Sequence, residues 1–304
     1  MAKRPDSKMS VIGCGKAGKT LASLFYNRGV FDIDLIVNTT IESGQEAVEF
    51  IGAGRAGVDF ADVCQSSVIM IGVPDDEIYS CALKLARCGN VKSGAVVFHC
   101  SGFHASSVLE PLAKRGCLTA SVHPVRSFSD PKAALQNFGK TPCALEGGKE
   151  ALTFLKRAVS SIGGDIFIID AEKKPLYHSA AVFLNNYVVA LMHASFSLLA
   201  KSGLNEEQSK NIAAALAPAA VDNVLKFGAA NSLTGPIARG DIETVSKEIS
   251  ALFTQCGEQF SDLYKALGTI ALSLAVDSGK LSDSQRAAFT VFGLKELDKS
   301  ESYY

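Results

Sequence analysis

The sequence has almost no net charge: 30 Lys and Arg stand against 31 Asp and Glu in 304 residues, a formal charge of −1 at pH 7. Without a basic excess there is no electrostatic case for nucleic acid or an anionic membrane as partner. Eight cysteines form no C-x-x-C pair and no dense framework. That excludes a disulfide scaffold and suits free thiols in a reducing cytoplasm. His99, Cys100, His104, Cys117 and His123 lack the paired spacing of a zinc site, so no metal is expected. No G-x-S-x-G elbow is present, which leaves a hydrolase built on Ser101 or Cys100 with His123 without its hallmark. Residues 1–8, Met-Ala-Lys-Arg-Pro-Asp-Ser-Lys, carry no apolar signal core, and a cytoplasmic location is expected. Internal repeats, low-complexity segments and Pro- or Ser-rich linkers are also lacking. The most apolar stretch, Ala180 to Ala200, is interrupted by Asn185, Asn186, His193 and Ser195. It therefore reads as a buried core or interface helix rather than a membrane span.

What is present starts with length and apolar content: 304 residues with 47% hydrophobic side chains fit two domains with real cores. The organising stretch is Met9 to Tyr26. A short apolar run, Met9 to Ile12, leads into Gly13-Cys14-Gly15-Lys16-Ala17-Gly18, and Thr20 to Tyr26 follows with helical apolar spacing. In this G-x-G-x-x-G pattern the first glycine makes the strand-to-helix turn. The second lets the backbone touch a pyrophosphate, and the third lets helix pack on strand. The phosphates then meet free N–H groups at the positive end of the helix. Strands are expected over Ile33–Val37, Val68–Val73, Ala95–Phe98, Leu118–Val122, Pro142–Glu146 and Asp165–Ile169, with helices over Ile41–Ile51 and Lys149–Ile162.

Polar residues recur where these strands stop: Asn38-Thr39, Pro74-Asp75 after Val73, His99 to Gly102, and His123 onward. That is the pattern of a ligand cleft along the carboxyl edge of a doubly wound sheet. Asn38 stands where NAD-specific folds place a carboxylate, so nothing repels a 2′-phosphate; NADP is favoured, with NAD as the alternative. Arg55 and Lys16 are the nearby cations that could meet that phosphate. Asp75 is either a helix N-cap or a ligand residue, and His99 and His123 are either structural or catalytic.

From Lys174 onward strand signals cease. Pro175 opens a long helix through Lys201, Asn205 caps the next, Asp241 a third, and Ser282-x-x-Gln285 is a capping box. The architecture is thus α/β: a Rossmann-type, mostly parallel sheet domain over residues 1–170, then an all-helical domain over 171–304. At about 100° per residue, His178 and Asn185 fall within about 20° of each other on the first helix, and Asn186 pairs likewise with His193. Four polar residues in an apolar helix form either an internal polar network at a dimer interface or a site. Apolar residues on more than one helix face suggest a homodimer joined through the helical half.

Several motifs then align together: Gly13-x-Gly15-x-x-Gly18, Val73-Pro74-Asp75-Asp76, His99-Cys100-Ser101-Gly102, His123 to Phe128, Tyr177 to Phe183, and Thr234-Gly235-Pro236-Ile237-x-Arg239-Gly240-Asp241. As a set, over Met9 to Leu297, they resemble a bacterial two-domain family with a Rossmann-like N-terminal domain and a helical C-terminal domain of unknown function, the DUF2520 type. The resemblance extends in fold to pyrroline-carboxylate and ketopantoate reductases, and the helical half to the C-terminal domain of 6-phosphogluconate dehydrogenase. It implies a nicotinamide cofactor held by Gly13, Cys14, Gly15, Lys16, Ala17, Gly18, Asn38, Thr39, Val73, Pro74, Asp75, Ser101 and Gly102. Ketopantoate reductases place a lysine and an asparagine on the first long helix. This chain has no lysine there after Lys174 and offers His178 as proton donor, with Asn185 or Asn186 to orient the substrate. Arg239 either grips a substrate carboxylate or pairs with Asp241. The expected function is an NAD(P)-dependent oxidoreductase passing hydride to a small carbonyl or imine acid, an anionic substrate. The alternative is a non-catalytic nicotinamide-nucleotide sensor or scaffold.

Overall fold

The computed structural model describes residues 8–89 and 91–295. The leader expectation for residues 1–7 and the Leu297 limit of the resemblance lie outside them. By their contacts the residues form two units, one ending at Asn185 and the other beginning at Asn186. The sequence reading places the boundary at 170/171. The first unit runs further because Lys174 and Tyr177 bond to residues of the sheet and its loops.

The first unit is built on eight strands: β1 (Lys8–Ile12), β2 (Asp32–Val37), β3 (Arg55–Gly57), β4 (Val68–Ile71), β5 (Val96–His99), β6 (Leu118–Pro124), β7 (Thr141–Gly147) and β8 (Gly164–Ile168). Their order is β3-β2-β1-β4-β5-β6-β7-β8, and all neighbours are parallel except β6 and β7. Seven of the eight are the strands read from apolar runs. The edge strand β3 escapes that reading because Arg-Ala-Gly has no apolar alternation to see.

Helices α1 (Lys16–Asn27), α2 (Ile41–Ile51), α3 (Phe60–Val63), α4 (Ile78–Arg87), α5 (Glu110–Ala113), α6 (Pro131–Gln136) and α7 (Lys149–Ser161) accompany the sheet. Two cores result. One joins Phe25, Phe98, Phe138 and Leu155; the other joins Ile69, Ile78, Leu85 and Leu112. Because both faces are covered, the central strands are near-continuous apolar runs, as a parallel sheet requires.

Register decides where the site lies. His99, the last residue of β5, pairs with Ser121, and β6 continues to Pro124. β7 returns antiparallel along that overhang, with Cys143 opposite Pro124 and Glu146 opposite Ser121. β8 follows β7, so Ile168 ends beside Leu145 and level with Val122. The chain therefore leaves β8 at the height of the β5 carboxyl end. From there α8 (Lys174–Val182) starts.

The second unit contains α9 (Val188–Lys201), α10 (Glu206–Phe227), α11 (Ala229–Ser232), α12 (Pro236–Arg239), α13 (Ile242–Cys256), α14 (Glu258–Asp277) and α15 (Asp283–Thr290). Reciprocal capping boxes at Asn205/Gln208 and Ser282/Gln285 start α10 and α15 where the sequence places them. Its core is small: Ile237, Val245, Leu272, Phe289 and Leu294. The continuous helix from Ala171 to Lys201 is long and apolar enough to cross a membrane by length and composition, yet no residue of its most apolar window is buried among the described residues. Of the two expectations for this helix, core or interface, the core one does not hold, since α12 to α15 supply the core of the second unit. Leu184 and Leu225 are 81% and 82% exposed, and Val189, Leu216 and Phe227 are exposed as well.

Candidate functional site

The glycine turn forms as its spacing requires. Gly13 has φ +78°, and a Cβ there would lie 2.5 Å from the Val73 Cγ1 and 2.6 Å from its nitrogen. Gly18 faces the Gly13 carbonyl, where a Cβ would come within 2.9 Å. A Cβ on Gly15 would meet nothing within 4 Å among the surrounding described residues. The fold thus needs the first and third glycines, whereas only a ligand would need the second. Gly15 caps α1 without any side-chain bond, and the first turn holds no acid. Lys19 donates to the Gly15 carbonyl at 2.9 Å, closing the first helical turn. The amides of Lys16, Ala17 and Gly18 before it are left for an anion. These residues fit a dinucleotide pyrophosphate.

A cavity of about 530 Å³ opens beside the turn, lined by Cys14, Gly15, Asn38, Thr39, Val73 and Pro74 among others. Asn38 borders it, but its amide is committed to the backbone. Oδ1 accepts from the Cys14 N–H at 2.6 Å, and Nδ2 donates to the Ser43 carbonyl at 3.0 Å. Asn38 therefore ties the glycine turn to α2. Of the two cations read as phosphate partners, Arg55 stands 3.8 Å from Asp34, and neither it nor Lys16 lines the cavity.

A second group of residues gathers at the carboxyl ends of β5 and β6. Asp75 makes no capping bond; it opens a single 3-10 turn, Asp75–Glu77, and accepts from the Ser101 hydroxyl at 2.8 Å. The same hydroxyl oxygen accepts from the amides of Phe103 and His104 at 3.1 and 2.9 Å. With its one proton and both lone pairs engaged, Ser101 has nothing left for nucleophilic attack. Burial pushes the Cys100 thiol up to about 12, so it holds no thiolate near neutrality. His99 is fully buried, with Nδ1 accepting from the Ser101 amide at 3.2 Å and Nε2 facing the Ala105 carbonyl at 3.2 Å. Burial lowers its pKa to about 4, and it is a structural, neutral histidine.

His123 and His178 meet over Gly102. A Cβ on Gly102 would lie 2.8 Å from His123 Cε1 and 2.8 Å from His178 Nδ1, so the missing side chain is what admits both rings. Tyr177 closes on His123, hydroxyl to Nδ1, at 2.7 Å. Burial raises Tyr177 to about 12 and lowers His123 to about 4. With the phenol as donor, the imidazole carries its own proton on Nε2. His178 Nδ1 is buried and has no hydrogen-bond partner among the described residues. Phe103, His178, His123, Tyr177 and Phe167 follow one another in edge-to-face contact, with centroids 5.6 to 6.3 Å apart.

Beneath them lies Lys174, which sequence reasoning passed over. It is 0% exposed, and its Nζ donates to the Ser121 hydroxyl at 2.7 Å and to the Ser101 carbonyl at 3.0 Å. Burial brings its pKa down to about 8, against the opposing pull of Glu146 and Asp75. Its one sequence signal was position: a lysine four residues before His178, one helical turn away on the same face.

The asparagines are placed differently from the helical-wheel reading. Asn185 and Asn186 lie in a π-helical turn, Phe183–Tyr187, between α8 and α9. Its wider winding breaks the 3.6-residue repeat, so the alignment of Asn185 with His178 does not hold. Both are exposed, as is His193. Asn186, His193 and Arg239 belong to the second unit. Arg239 ends α12 and is exposed, while Asp241 accepts from the Thr244 amide at 3.1 Å and its hydroxyl at 2.7 Å. Asp241 thereby caps α13. Among the described residues no three His, Cys, Asp or Glu side chains gather as a metal site.

Residues 2–124 match the family model of a Rossmann-like domain, and residues 141–270 that of a domain of unknown function, DUF2520. The chain has a Rossmann-like N-terminal domain followed by a DUF2520 domain. No curated protein sequence matches it. Among solved structures it is similar to protein TM1727 of Thermotoga maritima, with 28% identity, a TM-score of 0.69, and 89% of this chain and 99% of that one covered. An imine reductase of Myxococcus stipitatus in complex with NADP+ is 15% identical with a TM-score of 0.63, covering 94% and 99%. The pyrroline carboxylate reductase of Plasmodium falciparum with NADP bound is 15% identical with a TM-score of 0.56, covering 90% and 97%. The fold is that of Rossmann-type oxidoreductases.

Proposed function

We propose that the protein is an NADP-dependent cytoplasmic reductase acting on a small carbonyl or imine acid. The observation that carries this reading is the glycine turn, closed by the fold at Gly13 and Gly18 and left open only at Gly15. Nucleotide-bound reductases of the same fold support it. No disulfide is found among the described residues, which suits a reducing compartment.

A bound nicotinamide supplies the hydride. The amides of Lys16 to Gly18 hold the pyrophosphate, and Asn38 holds those amides in place through Cys14. Reduction of C=O or C=N leaves negative charge or electron density that needs a proton donor within about 3 Å. His178, half-buried against Gly102 in the turn after β5, is the assigned donor. Tyr177 fixes the neighbouring His123, and Lys174 holds Ser101 and Ser121 together beneath both rings.

The test is a screen of NADPH oxidation against 2-oxo acids, cyclic imines and aldehydes, run beside fluorescence titration of NADPH. Gly15→Val should abolish NADPH binding while leaving the melting temperature unchanged. His178→Ala should lower kcat sharply with NADPH affinity within a few-fold. Full affinity in Gly15→Val overturns the cofactor site. Full turnover in His178→Ala moves the proton donor to His123, and tight NADPH binding with no turnover on any class favours the sensor.

A further inference from the structure

The cavity beside the glycine turn carries charge that the turn does not account for. Two charged side chains line it, Glu77 and Lys84. Glu77 ends the short turn that follows Pro74, and Lys84 lies in the last turn of α4. Seven residues of helical backbone put them about 10 Å apart along the axis. Helical side chains lean back toward the start of their own helix, which brings the Lys84 ammonium up toward the carboxyl edge of the sheet. The other wall is the end of β2 and the start of α2, with Thr39 and Ser43.

The residue that ordinarily reads the adenosine ribose stands at the end of β2. Here that position is Asn38, and both ends of its amide are committed to backbone groups. The neighbouring cations are drawn elsewhere: Arg55 toward Asp34 at 3.8 Å and Lys19 over the Phe50 ring at 5.0 Å. Among the described residues Lys84 is the one cation lining the cavity. We infer that Lys84, with Thr39 lining the same cavity, forms a subsite for a phosphate monoester, the 2′-phosphate of a dinucleotide's adenosine. An ammonium on a flexible stem meets phosphate as a point charge, and the Thr39 hydroxyl adds a donor to its oxygens, whereas the Ser43 hydroxyl is spent on the Thr40 carbonyl at 3.0 Å. The strand that normally chooses between the two nicotinamide cofactors thus holds the glycine turn, and helix α4 does the choosing.

This inference rests on the dinucleotide reading, and the test separates the two. The intact protein is titrated calorimetrically with adenosine 2′,5′-bisphosphate and adenosine 5′-monophosphate, which differ only in the 2′-phosphate, and by fluorescence with NADPH and NADH. The parent should prefer the bisphosphate by about tenfold or more, a preference that falls as salt rises. Lys84→Ala should bring the ratio close to one with affinity for the monophosphate held within about twofold, and Lys84→Arg should keep most of the preference. Lys84 is exposed, so the substitution leaves the core intact. An unchanged ratio in Lys84→Ala, or a parent that binds both mononucleotides equally, overturns the subsite and leaves the dinucleotide reading standing. A parent that binds neither mononucleotides nor dinucleotides overturns both.

Discussion

At the scale of the residue, Lys174 is the most consequential side chain that has no exposure. Its pKa of about 8 in the folded chain lies below the ordinary 10.5. The unfolded chain therefore binds more protons between about pH 8 and 10.5, and folding stability rises with pH through that window. Below about pH 8 the cost of burying the ammonium is fully present. Lys174→Met removes that dependence but withdraws a donor from the Ser101 carbonyl and Ser121 hydroxyl, a loss of about 1–3 kcal/mol. Thermal unfolding followed from pH 7 to 10 should show the parent gaining stability relative to Lys174→Met as pH rises. Parallel curves would mean that the lysine is not buried as described.

At the scale of the element, the turn after β5 is tied to itself and its surroundings by His99, Ser101 and Asp75. His99 is buried with its pKa lowered from 6.5 to about 4. Its contribution is complete above about pH 6.5 and is lost as pH falls toward 4, worth about 3 kcal/mol for that shift. His99→Gln, which keeps one donor and one acceptor, should flatten the acid side of the stability profile measured by denaturant titration between pH 7 and 4. An equally steep loss would place the acid sensitivity elsewhere, with His123 next in line. The glycine turn and seven strands were legible because their requirements are local: positive φ, close approach, unbroken apolar runs. Lys174 was not, because its partners lie 53 and 73 residues away across β5 and β6. The pairing of His123 with Tyr177 spans 54 residues and was hidden for the same reason. The π-turn at Phe183–Tyr187 leaves no trace in periodicity, so the faces assigned to Asn185 and Asn186 were wrong in angle though right in element.

At the scale of the whole molecule, α9 and α10 carry large apolar side chains that the described residues leave exposed, Val189, Leu216 and Leu225 among them. We propose that a second copy covers them in a homodimer joined through the helical half. Light scattering at micromolar concentration should report twice the chain mass. Leu225→Glu paired with Val189→Glu should shift the protein to monomer without unfolding the first unit, whose cores they do not touch. A parent that is monomeric under those conditions sinks the dimer.

The emptiness around Gly15 has a consequence for descent. A Cβ at that position meets none of the surrounding described residues within 4 Å, whereas one at Gly13 or Gly18 collides with them. Selection for folding alone would preserve positions 13 and 18 and leave position 15 free to drift. In a lineage that kept this architecture but abandoned its ligand, substitution would begin there. The middle glycine is the part of the turn whose persistence records use rather than shape.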